Sequence, residues 1–105
     1  MLDTCRAPPY TLPMIKSFRN KALADLWRTS RSAKIDVRLA RRVLVRLEAL
    51  NEAERPEDMN LPGFDFHALH GSRPTRFTVH VNGPWCITFE FEDGDALRVD
   101  LEQYH

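Results

Sequence analysis

The chain is poor in the residues that mark several familiar classes of small protein: 105 residues contain two cysteines, four glycines and two tyrosines. Neither charge is in excess, with fifteen Lys and Arg against fifteen Asp and Glu. Two cysteines, Cys5 in the leading segment and Cys86 in a strand-like run, make neither a disulfide framework nor a paired metal-ligand motif. No apolar run approaches the ~20 residues needed to cross a bilayer. The N-terminus lacks the basic start and apolar stretch of a secretory signal. These absences predict a cytoplasmic protein with free thiols and no membrane partner.

What is present is a segregated charge. Residues 1–55 carry twelve Lys and Arg against six Asp and Glu, and residues 56–105 carry three against nine. A basic half can follow a phosphate backbone while an acidic half contains or borders the chemistry; solvated surfaces show the same asymmetry. The length suits one core and not a second.

Residues 1–13 hold Pro8, Pro9 and Pro13 with little periodicity and read as an extension ahead of a domain covering residues 14–105. Residues 15–18 are a short strand candidate. Asn20 is placed to cap a helix carrying Leu23, Leu26 and Trp27. Ser32 is placed to start a longer helix through about Leu50, with Leu39, Val43, Leu47 and Leu50 as one stripe. Arg38, Arg42 and Arg46, with Arg41 beside them, form a second stripe able to meet a nucleic-acid backbone; a solvated face is the plainer reading.

Beyond the polar, proline-containing residues 51–63, strands are predicted over residues 64–69, 76–81, 85–92 and 96–101. Their register follows from parity, because one face of the sheet must be apolar throughout. Phe77, Val79 and Val81 alternate with Arg76, Thr78 and His80, while Trp85, Ile87, Phe89 and Phe91 alternate with Cys86, Thr88, Glu90 and Glu92. Sharing one apolar face requires odd loops, so Asn82-Gly83-Pro84 and Asp93-Gly94-Asp95 are read as three-residue connections. Val79 then lies opposite Ile87, Phe89 opposite Val99 and His80 opposite Cys86, with Glu90 between Arg76 and Arg98. The other face displays His80, Arg76, Thr88, Cys86 and, by continued parity, Tyr104.

From Met14-Ile15-Lys16-Ser17-Phe18, through Trp85-Cys86-Ile87-Thr88-Phe89 and Asp93-Gly94-Asp95, to the terminal Glu102-Gln103-Tyr104-His105, the order and spacing of motifs resemble the HigB toxins of the RelE-like superfamily. These are bacterial ribosome-dependent mRNA endonucleases neutralised by HigA antitoxins. The resemblance implies an α+β fold with two N-terminal helices packed on one face of a small, mostly antiparallel sheet. Implied partners are a HigA-type helix-turn-helix antitoxin, the ribosome with its 16S rRNA, and mRNA. Operator DNA is reached only through the antitoxin.

Cleavage of RNA without a metal needs a base for the 2′-hydroxyl proton, cations or donors for the pentavalent phosphate, and an acid for the leaving 5′-oxygen. By the resemblance, His67 in Phe66-His67-Ala68-Leu69-His70 takes the place of a catalytic histidine, and His70 falls where many members have Lys. Gln103, Tyr104 and His105 fall on the C-terminal segment, with Gln103 in place of Asp. His105 is the strongest general acid or base, since imidazole titrates near neutrality; Tyr104 is placed to orient the 2′-hydroxyl or stack on a base. Arg73 and Arg76, with Arg38, Arg41, Arg42 and Arg46, are the RNA-binding cations, and no cofactor is implied.

Cys86 stands where the family has an arginine. A thiol cannot carry that positive charge, so this form is expected to be attenuated by about two to three orders of magnitude. Two rival readings stay open: a catalytically silent antitoxin-binding or co-repressor module of the same fold, and a thiol nucleophile at Cys86 paired with His80. The His67-x-x-His70 spacing invites a metal, but on a strand it puts the two side chains on opposite faces with nothing to complete a set.

Overall fold

The computed structural model describes residues 15–71 and 73–103. Two helices, α1 (Lys21–Thr29) and α2 (Val37–Glu52), precede a 3-10 turn at Pro56–Met59 and four strands: β1 (His67–Leu69), β2 (Arg76–Asn82), β3 (Trp85–Glu92) and β4 (Asp95–Gln103). The strands form an antiparallel meander in the order β1-β2-β3-β4. The arrangement is the expected α+β fold.

Local chemistry sets the helix ends. Asn20 Oδ1 accepts from the Leu23 N–H at 3.2 Å, as a cap for α1 should. The second helix starts later than expected. Ser32 caps only a local turn through the Lys34 N–H, whereas Asp36 Oδ1 accepts from the Arg38 N–H at 2.8 Å and opens α2. After α2, the Asp58 carboxylate takes the N–H groups of Glu54 and Arg55, which hold its pKa below the ordinary value.

Leu23 and Leu26 from α1 and Val43, Leu47 and Leu50 from α2 form one buried cluster with Val79, Val81, Ile87, Phe89, Ala96, Val99 and Leu101 of the sheet. Leu39 is only partly buried, and Ala40 takes a buried place beside the stripe. Phe66 stacks on Phe77 and Phe77 meets Phe89 at a 30° tilt, both pairs with centroids 5.7 Å apart. Residues 15–18 run parallel to β4 through bridges at Ile15–Ala96 and Phe18–Val99. That tie uses the Lys16 N–H to Ala96 O, 2.8 Å, and the Val99 N–H to Ser17 O, 3.0 Å.

Parity is right in its sum and wrong in its location. Val79 pairs with Ile87 and His80 with Cys86 as expected, but both hairpins turn on two residues, Gly83-Pro84 and Asp93-Gly94. The missing residue of each offset sits in a bulge inside the ladder. In β2 it is Val81, between His80 and Asn82; in β4, Arg98 and Val99 together face Phe89. Asp93 and Gly94 have φ of 53° and 83°, so this turn takes the left-handed geometry that suits the right-handed strand twist. Arg98, at φ 49°, is the strained residue of the second bulge, and its N–H goes to Ser17 Oγ at 2.8 Å.

Candidate active site on the outer sheet face

The face of the sheet turned away from the helices divides into two halves. At one end, Glu90 lies between two arginines, as parity predicts: Oε2 is 2.8 Å from Arg76 Nη1 and Oε1 is 2.8 Å from Arg98 Nη1. Arg76 Nη2 also donates to Thr88 Oγ1 at 2.8 Å and to the Arg98 carbonyl at 3.1 Å. Thr88 Oγ1 in turn donates to Glu102. The side chains of Arg76 and Glu90 are 12% and 8% exposed. Such a closed set satisfies every charge it buries and leaves Arg76 little exposed surface for a substrate phosphate.

At the other end lies an open pocket of about 370 Å³ lined by Asp65, His67, Ala68, Leu69, His70, Thr78, His80 and Cys86. His67 projects from the edge strand β1 directly opposite Thr78. Its Nδ1–H donates to the Asp65 carbonyl at 2.8 Å, with the Asp65 carboxylate 3.7 Å away. That bond fixes the tautomer, so in the neutral ring the lone pair is on Nε2. The side chain is 61% exposed and open to a substrate. His80 Nε2–H donates to the Gly83 carbonyl at 3.0 Å, closing the turn beside the pocket.

The expectation that His67 and His70 point to opposite faces assumes a strand through both, and β1 ends at Leu69. His70 follows in the turn with Gly71 and lines the same pocket as His67. Even so, among the described residues no three His, Cys, Asp or Glu side chains are grouped to hold a metal ion. A second, adjoining cavity of about 500 Å³ shares Leu69 and His70 with the first and adds Arg73 and Pro74.

The expected site residues therefore separate. His67, His70 and Cys86 converge on one pocket, with Arg73 on its flank and Arg76 withdrawn into the ion-paired half. Arg38, Arg41 and Arg42 are exposed on α2. Arg46 is turned inward: its Nε–H donates to the His80 carbonyl at 3.0 Å and its guanidinium lies 4.6 Å above the Phe64 ring. Burial, then the charge of Arg42, lowers its pKa from the ordinary arginine value. Tyr104, His105 and residues 1–13 lie outside the described residues.

Sequence reading gives no role to Thr78 or Glu102. Thr78 stands in the outward parity of its strand among larger polar neighbours. Glu102 can be found the same way, since its partner on β3 is Cys86.

No helix among the described residues is long and apolar enough to cross a membrane. Residues 16–105 match the model of a family described as the RelE-like toxin of the type II toxin-antitoxin system HigB. The chain is also 33% identical over 92 residues to the endoribonuclease HigB of Proteus vulgaris, across 88% of this chain and the whole of that relative. The fold, the matched span and this relative agree: the chain belongs to the RelE-like HigB toxin family of type II toxin-antitoxin systems.

Proposed function

We propose that this chain is a metal-independent endoribonuclease that cuts mRNA in the ribosomal A site, in the bacterial cytoplasm. The observation that carries the reading is the pocket in which the exposed His67, its tautomer set by Asp65, stands beside His70 and Cys86. Three histidines, His67, His70 and His80, line this one hollow. The relative from Proteus vulgaris, named an endoribonuclease, supports the choice of RNA as substrate.

The chemistry is a transesterification. The 2′-hydroxyl oxygen attacks the adjacent phosphorus while a base takes its proton, the bond from phosphorus to the 5′-oxygen breaks, and an acid protonates that oxygen. The products are a 2′,3′-cyclic phosphate and a 5′-hydroxyl. His67 Nε2 is suited to the base. His105 serves as the acid, with Tyr104 orienting the 2′-hydroxyl and His70 and Arg73 facing the phosphate. Cys86 supplies no charge there, so the present form is slow. The arginines Arg38, Arg41 and Arg42 dock α2 on 16S rRNA, and Arg46 supports that helix from behind.

The partner that neutralises the toxin is a HigA-type antitoxin with a helix-turn-helix domain, through which alone the pair reaches operator DNA. Residues 1–13 form an extension to the toxin domain of residues 14–105. One observation favours a second reading. Arg76 and Arg98 are engaged by Glu90, so among the described residues the pocket's one arginine is Arg73 at its edge. A catalytically silent antitoxin-binding module of the same fold would look the same.

Cleavage on translating ribosomes separates the two. We expect Cys86→Arg to cut A-site mRNA about 100- to 1,000-fold faster than the present chain, and removal of His105 to abolish cutting in both. If neither form cuts, the endonuclease reading fails and the binding module replaces it.

A further inference from the structure

Thr78 is the described residue whose buried side-chain polar atom has no hydrogen-bond partner. It is 9% exposed and lines the pocket with His67, His80 and Cys86. Buried hydroxyls are nearly always paired, so an unpaired one in a ligand-sized hollow calls for an explanation. Its neighbour in the same outward row, Thr88, shows the ordinary case: it receives Arg76 and donates to Glu102. The two threonines pair across β2 and β3, yet one is fully engaged and the other has nothing.

We propose that the pocket is a nucleobase subsite and that Thr78 is a binding residue whose hydroxyl meets the polar edge of an unstacked base. This rests on the reading of the chain as an RNA-cleaving toxin. The volume of about 370 Å³ lies in the range of small-molecule sites, about 300–1,000 Å³. Its walls suit a flat ring: Ala68 and Leu69 offer apolar surface, and the imidazole of His80 offers a face on which a base can stack. Asp65 also lines it, with a carboxylate that can accept at the edge of a base.

The hydroxyl itself is sealed from solvent in the free protein. A change of χ1 to another staggered well moves the hydroxyl to a second of the three positions on Cβ, where it can meet a bound base. The base therefore gives Thr78 the partner that the free protein withholds. Because the same side chain can donate and accept, Thr78 adds affinity for any base it meets. Selection among bases falls to Asp65.

This arrangement makes an unusual demand on Thr78→Val, which keeps the shape and removes the hydroxyl. A threonine that served only the fold would lose stability or change nothing. Here the variant should raise Tm by a few degrees, since it removes an unpaired buried group, and bind nucleotides about threefold to tenfold more weakly.

The test titrates the four nucleoside 5′-monophosphates into the full chain and Thr78→Val, following backbone amide shifts by NMR, alongside Tm and ribosomal cleavage. Shifts centred on Thr78, His67, His80 and Cys86, weakened in a more stable Thr78→Val, establish the subsite. Shifts elsewhere or none, or equal binding by both forms, overturn it. A fall in Tm that accompanies the weaker binding also overturns it, because the hydroxyl then serves the fold. If ribosomes are cut while nucleotides leave the pocket unmoved, this inference fails and the endonuclease reading survives. If nucleotides bind in the pocket and no form cuts, the reverse holds.

Discussion

The two halves of the outer sheet face are built from the same alternation on the same strands, yet they are opposites. The half around Glu90 packs four charged side chains, Arg76, Glu90, Arg98 and Glu102, and a threonine into a network in which the charges face one another. The half around Thr78 holds imidazoles, a thiol and an unpaired hydroxyl around open space. Polar residues facing outward are thus of two kinds. Those that satisfy each other fasten the sheet, and those left wanting partners are where a substrate can be held.

The sharpest way to break this comparison is to remove the centre of the fastened half. Glu90→Ala would leave Arg76, largely buried, without its carboxylate. Breaking such a pair should cost about 3–5 kcal/mol, a large share of the stability of a domain this size. Urea denaturation measures it. A loss below about 1 kcal/mol would mean that Thr88 and Glu102, whose carboxylate lies 3.9 Å from Arg76 Nη2, alone hold Arg76, and that the network is less cooperative than its geometry indicates.

His67→Ala should do the opposite. In the Cys86→Arg form, single-turnover cleavage on ribosomes is expected to fall by about a hundredfold or more, the ordinary contribution of a general base. With its side chain 61% exposed, stability should stay within about 0.5 kcal/mol. A variant that unfolded instead would place His67 with the fastened half.

How much of this division is legible in the sequence turns on what parity can and cannot count. Alternation places Glu90 between Arg76 and Arg98 and His80 across from Cys86, because a face shared by three strands fixes their total offset. It cannot say where the extra residue of each offset lies. The ladder takes it as a bulge, and at Arg98 the bulge leaves the strained residue whose guanidinium meets Glu90. Asp93-Gly94 carries the signal for a two-residue turn, and the parity sum overrides it. Nor does alternation reach His70, since period-two reasoning holds only while the strand lasts, and β1 lasts three residues. The parallel docking of residues 15–18 along β4 has no signal at all, since a short apolar segment does not name its neighbour. Whether a hydroxyl such as that of Thr78 finds a partner depends on side-chain geometry across strands, which no pattern in one strand contains.

The same division extends to α2, where it yields the smallest effects and the finest test. Arg46 and Arg42 are four residues apart on one helix and carry the same side chain. Arg46 donates to the His80 carbonyl and covers Phe64, so it belongs with the groups that fasten the fold. Arg42 is exposed. Arg46→Ala should therefore cost about 1–2 kcal/mol by urea denaturation, because it removes a part-buried hydrogen bond together with the packing of a cation on a ring. Arg42→Ala should stay within about 0.5 kcal/mol. In ribosome binding the order reverses. Removing one cation from a phosphate lowers the slope of log affinity against log salt by about 0.7–0.9, so Arg42→Ala should flatten that slope and Arg46→Ala should leave it unchanged. If both variants flattened it equally, Arg46 would have to leave Phe64 on binding, and the line between fastening and recognition would run through the side chain rather than between the two arginines.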